Sequence, residues 1–374
     1  MASAVRFCRA KPLVTHSSTH DANRKLAPLL GLLYCTLTAG AYGASLYVAN
    51  PGTQAAPTPS IVIYDVDSNR MVTRRDSVPL AAGAPRELLR VASSLYVTSS
   101  SNEIIHFRID QTGGLQRIRS YATGQDPVGI ASDGTSLFVA NSGSGTVSMF
   151  AIVGNETGNL KPIQTIAAGP SPMFLALHGK RKDILFVANE AGCTFRVKRQ
   201  ATLIRLVCPA ATVNLPAGRV LSEGGVLYSL ASSPVNASPP IFTAVKALRV
   251  DPKTGAWALI GNELSFGVTP LYSLAASKSQ RALFVARQGG IAIIPLASAA
   301  AFGPAGMTLP VIGSPGALIT DEAGAFLFAT DPQQNRVVAM SVDAGGALKI
   351  KSIADGQKIN QQNAEFPTAI AFAP

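Results

Sequence analysis

Charge is scarce in this chain. Asp, Glu, Lys and Arg make up 14% of its 374 residues, and the acids are the rarer sign, 21 against 32. Histidine and cysteine number four each, and no Cys pair stands near a His, so no metal site is expected. There is no G-x-S-x-G elbow and no P-loop, and no cofactor is implied. "DVDSNR" at 65–70 opens like a calcium loop but lacks the glycine at its sixth position, and Arg74 and Arg75 would repel a cation. It reads as a hairpin turn. Basic residues are scattered, apart from "KRK" at 180–182, and carry no nucleic-acid-binding signature, so no nucleic-acid partner is expected. The apolar run at 26–40, "LAPLLGLLYCTLTAG", is short for a membrane span.

What is abundant is a strand word. "LFVAN" occurs at Leu137–Asn141 and again at Leu185–Asn189. Near-copies begin at Leu46, Leu95, Leu227, Leu283 and Leu327. Leu, Phe, Tyr and Val favour a pleated, buried surface. The leading leucines stand 49, 42, 48, 42, 56 and 44 residues apart, the size of a four-stranded propeller blade. A proline opens a second apolar run before most copies, at Pro85, Pro127, Pro172, Pro216, Pro270 and Pro315. Proline costs a strand least at its first residue. Asp- or Asn-led glycine turns ("DQTGGL", "NETGNL", "DPKTGAW", "DAGGAL") supply the outer hairpins. The first Leu-strand lacks a Pro-strand before it, and the last Pro-strand, "FPTAIAF" at 366–372, lacks a Leu-strand after it. Joined, they complete a seventh unit. The prediction is an all-β, seven-bladed β-propeller of four-stranded antiparallel blades, its ring closed by the N- and C-terminal strands. The 33 glycines and 25 prolines suit so many turns.

The segment from Asp126 to Glu190 resembles the seven-bladed lactonase-like propellers, which include a 6-phosphogluconolactonase branch. The repeated words are also similar to the YVTN-repeat surface-antigen propellers. The resemblance runs over about 46–374 at repeat level and is detailed in the second to fourth blades. It implies a ligand site at the channel mouth. It also implies a His after the third-blade proline and an Arg or His after the fourth, where this chain has Val128 and Met173–Phe174. The acid that the resemblance places after the fourth Leu-strand is kept, as Glu190, the one catalytic candidate.

Arg24–Lys25, the apolar run and the small-residue "AGAYGA" together make a secretory signal from Arg24 to Gly43. The expected division is a leader at 1–43 and a single propeller at 44–374. The mature chain is expected in the periplasm, outside the cell or on its surface, as a monomer with no transmembrane span. Cleavage after Gly43 leaves 27 basic and 20 acidic residues. In an oxidising compartment Cys193 and Cys208 form a disulfide across a hairpin centred on Gln200–Ala201; two isolated buried thiols are the other reading.

Two rings of side chains should face the mouth, one flanking the strand-opening prolines and one ending the Leu-strands. They give Arg86, Asp126, Glu190, Arg287, Asp331 and Glu365 as ligand-binding candidates. For Glu190, Arg287 and Asp331 a solvated rim or a salt bridge is the alternative. With Val128 and Met173 apolar, the reading is an exported, non-catalytic propeller that binds a small polar or anionic ligand, or an envelope protein. The alternative is a divergent lactonase acting on a sugar lactone.

Overall fold

The computed structural model describes residues 44–52, 58–81, 83–154, 157–189, 191–209, 218–232, 241–279, 281–296, 302, 308–309, 313, 315–343, 347–355 and 370–373. The expected leader, Glu190 and Glu365 lie outside these residues. The chain divides into a unit at 1–40 and a unit at 41–374 that holds every described strand. All regular structure among the described residues is β, in seven antiparallel sheets.

The third blade shows the pattern. From the channel outward its strands are Pro127–Ser132, Ser136–Asn141, Thr146–Val153 and Asn159–Ala167. The other innermost strands are Pro85–Val91, Phe174–His178, Val220–Glu223, Leu271–Ser277, Leu318–Thr320 and Ile370–Ala373. The last pairs with Ala44–Asn50, so both ends of the propeller share the first blade. In the fifth blade the outer strand is broken in two. Trp257–Leu259 and Leu264–Ser265 both pair with Phe242–Val250, and the break places Glu263 3.4 Å from Lys246.

The repeated word is explained by burial. All seven leading leucines are fully buried, at 0% exposure, and the aromatic that follows each is 0–3% exposed. Successive residues of a strand face opposite sides. Leucine therefore packs toward one neighbouring blade and the aromatic toward the other. Seven apolar clusters result, each joining the aromatic of one blade to the leucine of the next: Tyr47 with Leu95, Tyr96 with Leu137, Phe138 with Leu185, Phe186 with Leu227, Tyr228 with Leu283, Phe284 with Leu327, and Phe328 with Leu46. The last pair crosses the closure. Each such side chain contributes roughly 1.5–3 kcal/mol by leaving water.

Polar latches reinforce three of the interfaces. The Tyr47 hydroxyl donates to the Gly113 carbonyl at 3.0 Å, the Tyr96 hydroxyl donates to that of Gly158, and Thr194 Oγ1 donates to that of Gly255 at 2.8 Å. These glycines sit in the outer hairpin turns read from the sequence. Gly113 and Gly158 have φ of 78° and 61°, and an added Cβ would strike Ser45 and Ser94. Burial pushes both tyrosines up to about 12, so each hydroxyl stays a donor.

In five blades the pairing of third and outer strands shifts register at a bulge. In the fourth blade this bulge decides the cysteine geometry. Lys198 pairs with Thr202 and Phe195 with Arg205, but beyond the bulge Thr194 pairs with Val207. One further step sets Cys193 opposite Cys208, with Cα atoms 4.1 Å apart, and the two are joined in a disulfide.

Candidate functional site

Innermost strands start at one end of the channel, the mouth, and second strands end there. In three blades the pairing of these two strands slips at the mouth. The slip leaves Arg86 and Tyr272 without a residue opposite, and sets Val128 and Gly129 together against Ala140. Such bulges re-aim side chains. Gly129 also lets two blades touch, since a Cβ there would lie 2.4 Å from the Met173 carbonyl oxygen.

The bulge at Arg86 turns the next residue, Glu87, into the channel. The Glu87 N–H donates to Thr98 Oγ1 at 3.0 Å, and the Thr98 hydroxyl donates to the Val128 carbonyl at 2.7 Å. Arg219, which immediately precedes the fifth blade's innermost strand, donates from Nη1 to Glu87 Oε1. The second and fifth blades stand three steps apart, the widest separation a ring of seven allows. The ion pair therefore spans the channel. Its side chains are 15% (Glu87) and 21% (Arg219) exposed. The Arg219 guanidinium also lies 5.0 Å from the centroid of the Phe174 ring, a cation–π contact. Burial pushes the Glu87 carboxyl above the usual carboxylate range, and the Arg219 charge opposes that shift.

Of the predicted residues, Arg86 and Asp126 are brought together. Arg86 Nη2 lies 3.2 Å from Asp126 Oδ1, both side chains being more than 40% exposed. Asp126 has a left-handed φ of 49°, and its N–H donates to Asn102 Oδ1 at 2.8 Å. Arg86 Nε is buried without a hydrogen-bond partner among the described residues. Arg287 lies 5.8 Å from the Phe266 centroid, and its Nε donates to the Gln288 carbonyl. Asp331 is 1% exposed and accepts from Arg336 Nε at 3.0 Å, which commits it to its own hairpin. Two strand-ending asparagines cap turns: Asn50 Oδ1 accepts the Gly52 N–H, and Asn189 Oδ1 accepts the N–H groups of Ala191 and Gly192. His178, at the far end of its strand, is buried and bonded to Ser222 Oγ at 3.0 Å; burial lowers its pKa.

Glu87 and Arg219 were not among the residues singled out from the sequence. The sequence points to residues beside each proline, and Glu87 is two places beyond Pro85, Arg219 three beyond Pro216. A bulge decides which residue points inward, and the sequence carries no mark of it. Among the described residues no group of three or more His, Cys, Asp and Glu gathers to hold a metal. Nor is any helix there long and apolar enough to cross a membrane. Chemically the mouth offers a forked cation, a carboxyl of raised proton affinity and an aromatic face.

A family model described as "Lactonase, 7-bladed beta-propeller" matches residues 92–177. No curated protein matches the chain. Among solved structures, a protein from Lactobacillus plantarum superposes with a TM-score of 0.70 at 16% identity, covering 89% of this chain and 99% of its own. The periplasmic gluconolactonase of Pseudomonas aeruginosa gives 0.68 at 14% identity, covering 88% of this chain and 99% of its own. A candidate 6-phosphogluconolactonase from Bacteroides fragilis gives 0.66 at 16% identity, covering 88% and 98%. At these identities the likeness is one of fold.

Proposed function

We propose that this chain, whose fold is that of the seven-bladed lactonase propellers, is an exported protein that binds a small anionic ligand of the sugar-acid and sugar-lactone class at its channel mouth. The observation that carries this reading is Arg219, held across the channel by Glu87 and backed by Phe174. A guanidinium fork suits a carboxylate or phosphate, and an aromatic face suits the carbons of a sugar ring. Export is supported by the signal pattern from Arg24 to Gly43, and a disulfide persists best in an oxidising compartment. Calorimetric titration of the purified protein with gluconate, 6-phosphogluconate and glucose tests it. The anions are expected to bind and glucose is not, and Arg219→Met is expected to weaken anion binding at least tenfold. Equal binding of glucose and gluconate, or an unaltered R219M, overturns the reading.

A second reading, hydrolysis, is favoured by the raised Glu87 carboxyl. A general base works best with a pKa near the working pH. Glu87 would take a proton from water as the water oxygen bonds to the lactone carbonyl carbon. Arg219 N–H groups would meet the developing oxyanion. Collapse would break the ring C–O bond, with the proton passing to the ring oxygen. Measurable δ-lactone turnover that falls about a hundredfold or more in Glu87→Gln would establish this reading over simple binding.

A further inference from the structure

The end of the ring opposite the mouth carries a feature that ligand binding leaves unused. The turn between the fourth blade's innermost and second strands holds Lys180, Arg181 and Lys182, all exposed. The blade's outer hairpin brings Lys198 and Arg199 to the same end, also exposed. The two turns are fastened together, because Arg199 Nη2 donates to the Arg181 carbonyl at 2.8 Å. The fifth blade's outer turn joins them through Arg196, which donates from Nη2 to the carbonyls of Pro252 and Lys253, each at 2.8 Å. The exposed Lys253 side chain belongs to the same group.

The nearby acids are already engaged. Asp183 pairs with Arg196 at 3.4 Å, and Asp133, its side chain fully buried, pairs with Arg199 at 3.6 Å. Asp251 Oδ1 is taken by the N–H groups of Lys253 and Thr254 within its own turn. Among the described residues, Lys180, Arg181, Lys182, Lys198 and Lys253 form no ion pair. Exposed Val153 adjoins this end of the third blade, where Gln200 Nε2 reaches the Ile152 carbonyl.

We propose that this face docks on an anionic phospholipid surface. The cations stand on the tips of three separate turns at one end of the ring, so they form an array and do not converge on a single small anion. Four of the five unpaired cations are lysines, compact point charges that suit many phosphates and lack the planar fork that selects one carboxylate. An exposed aliphatic side chain beside such cations suits the boundary between headgroups and acyl chains. Docking by this end turns the mouth away from the surface and leaves it open to its ligand.

Co-sedimentation of the full chain with vesicles, at about 0.1 M salt, tests the proposal. Vesicles of phosphatidylcholine mixed with phosphatidylglycerol are expected to bind the chain, and pure phosphatidylcholine is not. Each cation near an anionic surface strengthens partitioning about fivefold. The variant Lys180→Ala/Arg181→Ala/Lys182→Ala is therefore expected to lose on the order of a hundredfold. Lys198→Ala/Lys253→Ala, on the other two turns, is expected to lose roughly twenty-fivefold, and serves if the first variant folds poorly. Lys349→Ala/Lys351→Ala, three blades away, is the charge-matched control and is expected to bind as the parent does. Partitioning unchanged in the first two variants, an equal loss in the control, or binding to polygalacturonate in place of vesicles overturns the proposal.

Discussion

His106 lies fully buried in the second blade, stacked on Tyr96 with ring centroids 4.8 Å apart. Its Nε2 is 3.0 Å from Ser94 Oγ. Burial, followed by the charges of Arg108 and Arg119, holds its pKa down to about 4. In the unfolded chain a histidine takes up its proton near 6.5. The unfolded state therefore binds more protons below that pH. The stability contributed by the neutral ring is complete above about 6.5 and is lost as the pH falls to about 4. The shift corresponds to at most about 3 kcal/mol. Melting temperature should fall steadily over that window, and His106→Gln should flatten the fall; a parent whose melting point is level between those limits contradicts the assignment. His178, also depressed by burial, acts in the same direction. Neither residue's burial could be read from one sequence, because both sit on strands buried over consecutive residues, where neighbouring blades cover both faces. The positions of Arg86 and Asp126 at the starts of innermost strands were legible, since a proline marks where each strand begins. Glu87 was not, because one bulge moved the inward position along by a residue.

At the scale of elements, the rule that each aromatic packs on the next blade's leucine makes a sharp expectation about coupling. Phe138 and Leu185 share one cluster, whereas Phe138 and Leu283 belong to different ones. Phe138→Ala should cost roughly 3–5 kcal/mol, and either leucine changed to Ala about 2–5. In denaturant titrations the Phe138/Leu185 double variant should depart from additivity by at least about 0.5 kcal/mol, while the Phe138/Leu283 double should add. Equal behaviour of the two pairs would mean that the interfaces are not the units of packing. The strand words were readable because these positions repeat one composition in every blade. The outer strands were less so. They face solvent on one side, tolerate bulges and breaks, and in the fifth blade split at 260–263, where Gly261, with φ of 66°, and Asn262 interrupt the strand.

For the whole molecule the decisive joint is the first blade. Four residues of Ile370–Ala373 pair with the strand that opens the propeller. Phe372 stacks on Phe328 with centroids 5.4 Å apart, and the Arg70 guanidinium covers both Phe372 and Phe326 while pairing with buried Asp321 at 3.6 Å. Removing residues 365–374 strips an innermost strand and uncovers the flank of the seventh blade. Thermal unfolding should then occur at least about 10 °C lower, given the several buried apolar side chains lost; a truncated chain that melts with the parent would show that the ring does not depend on its closure. That the propeller's first and last strands meet was legible, because each holds the part of a blade that the other lacks. The joint also sets a clock on biogenesis. At synthesis rates of about 5–20 residues per second, Leu46 is added to the chain roughly 15–65 seconds before Phe372 exists. Until then the first strand has no inner partner and the seventh blade no neighbour on which to set Phe328. For that interval the ring is held open by its own connectivity.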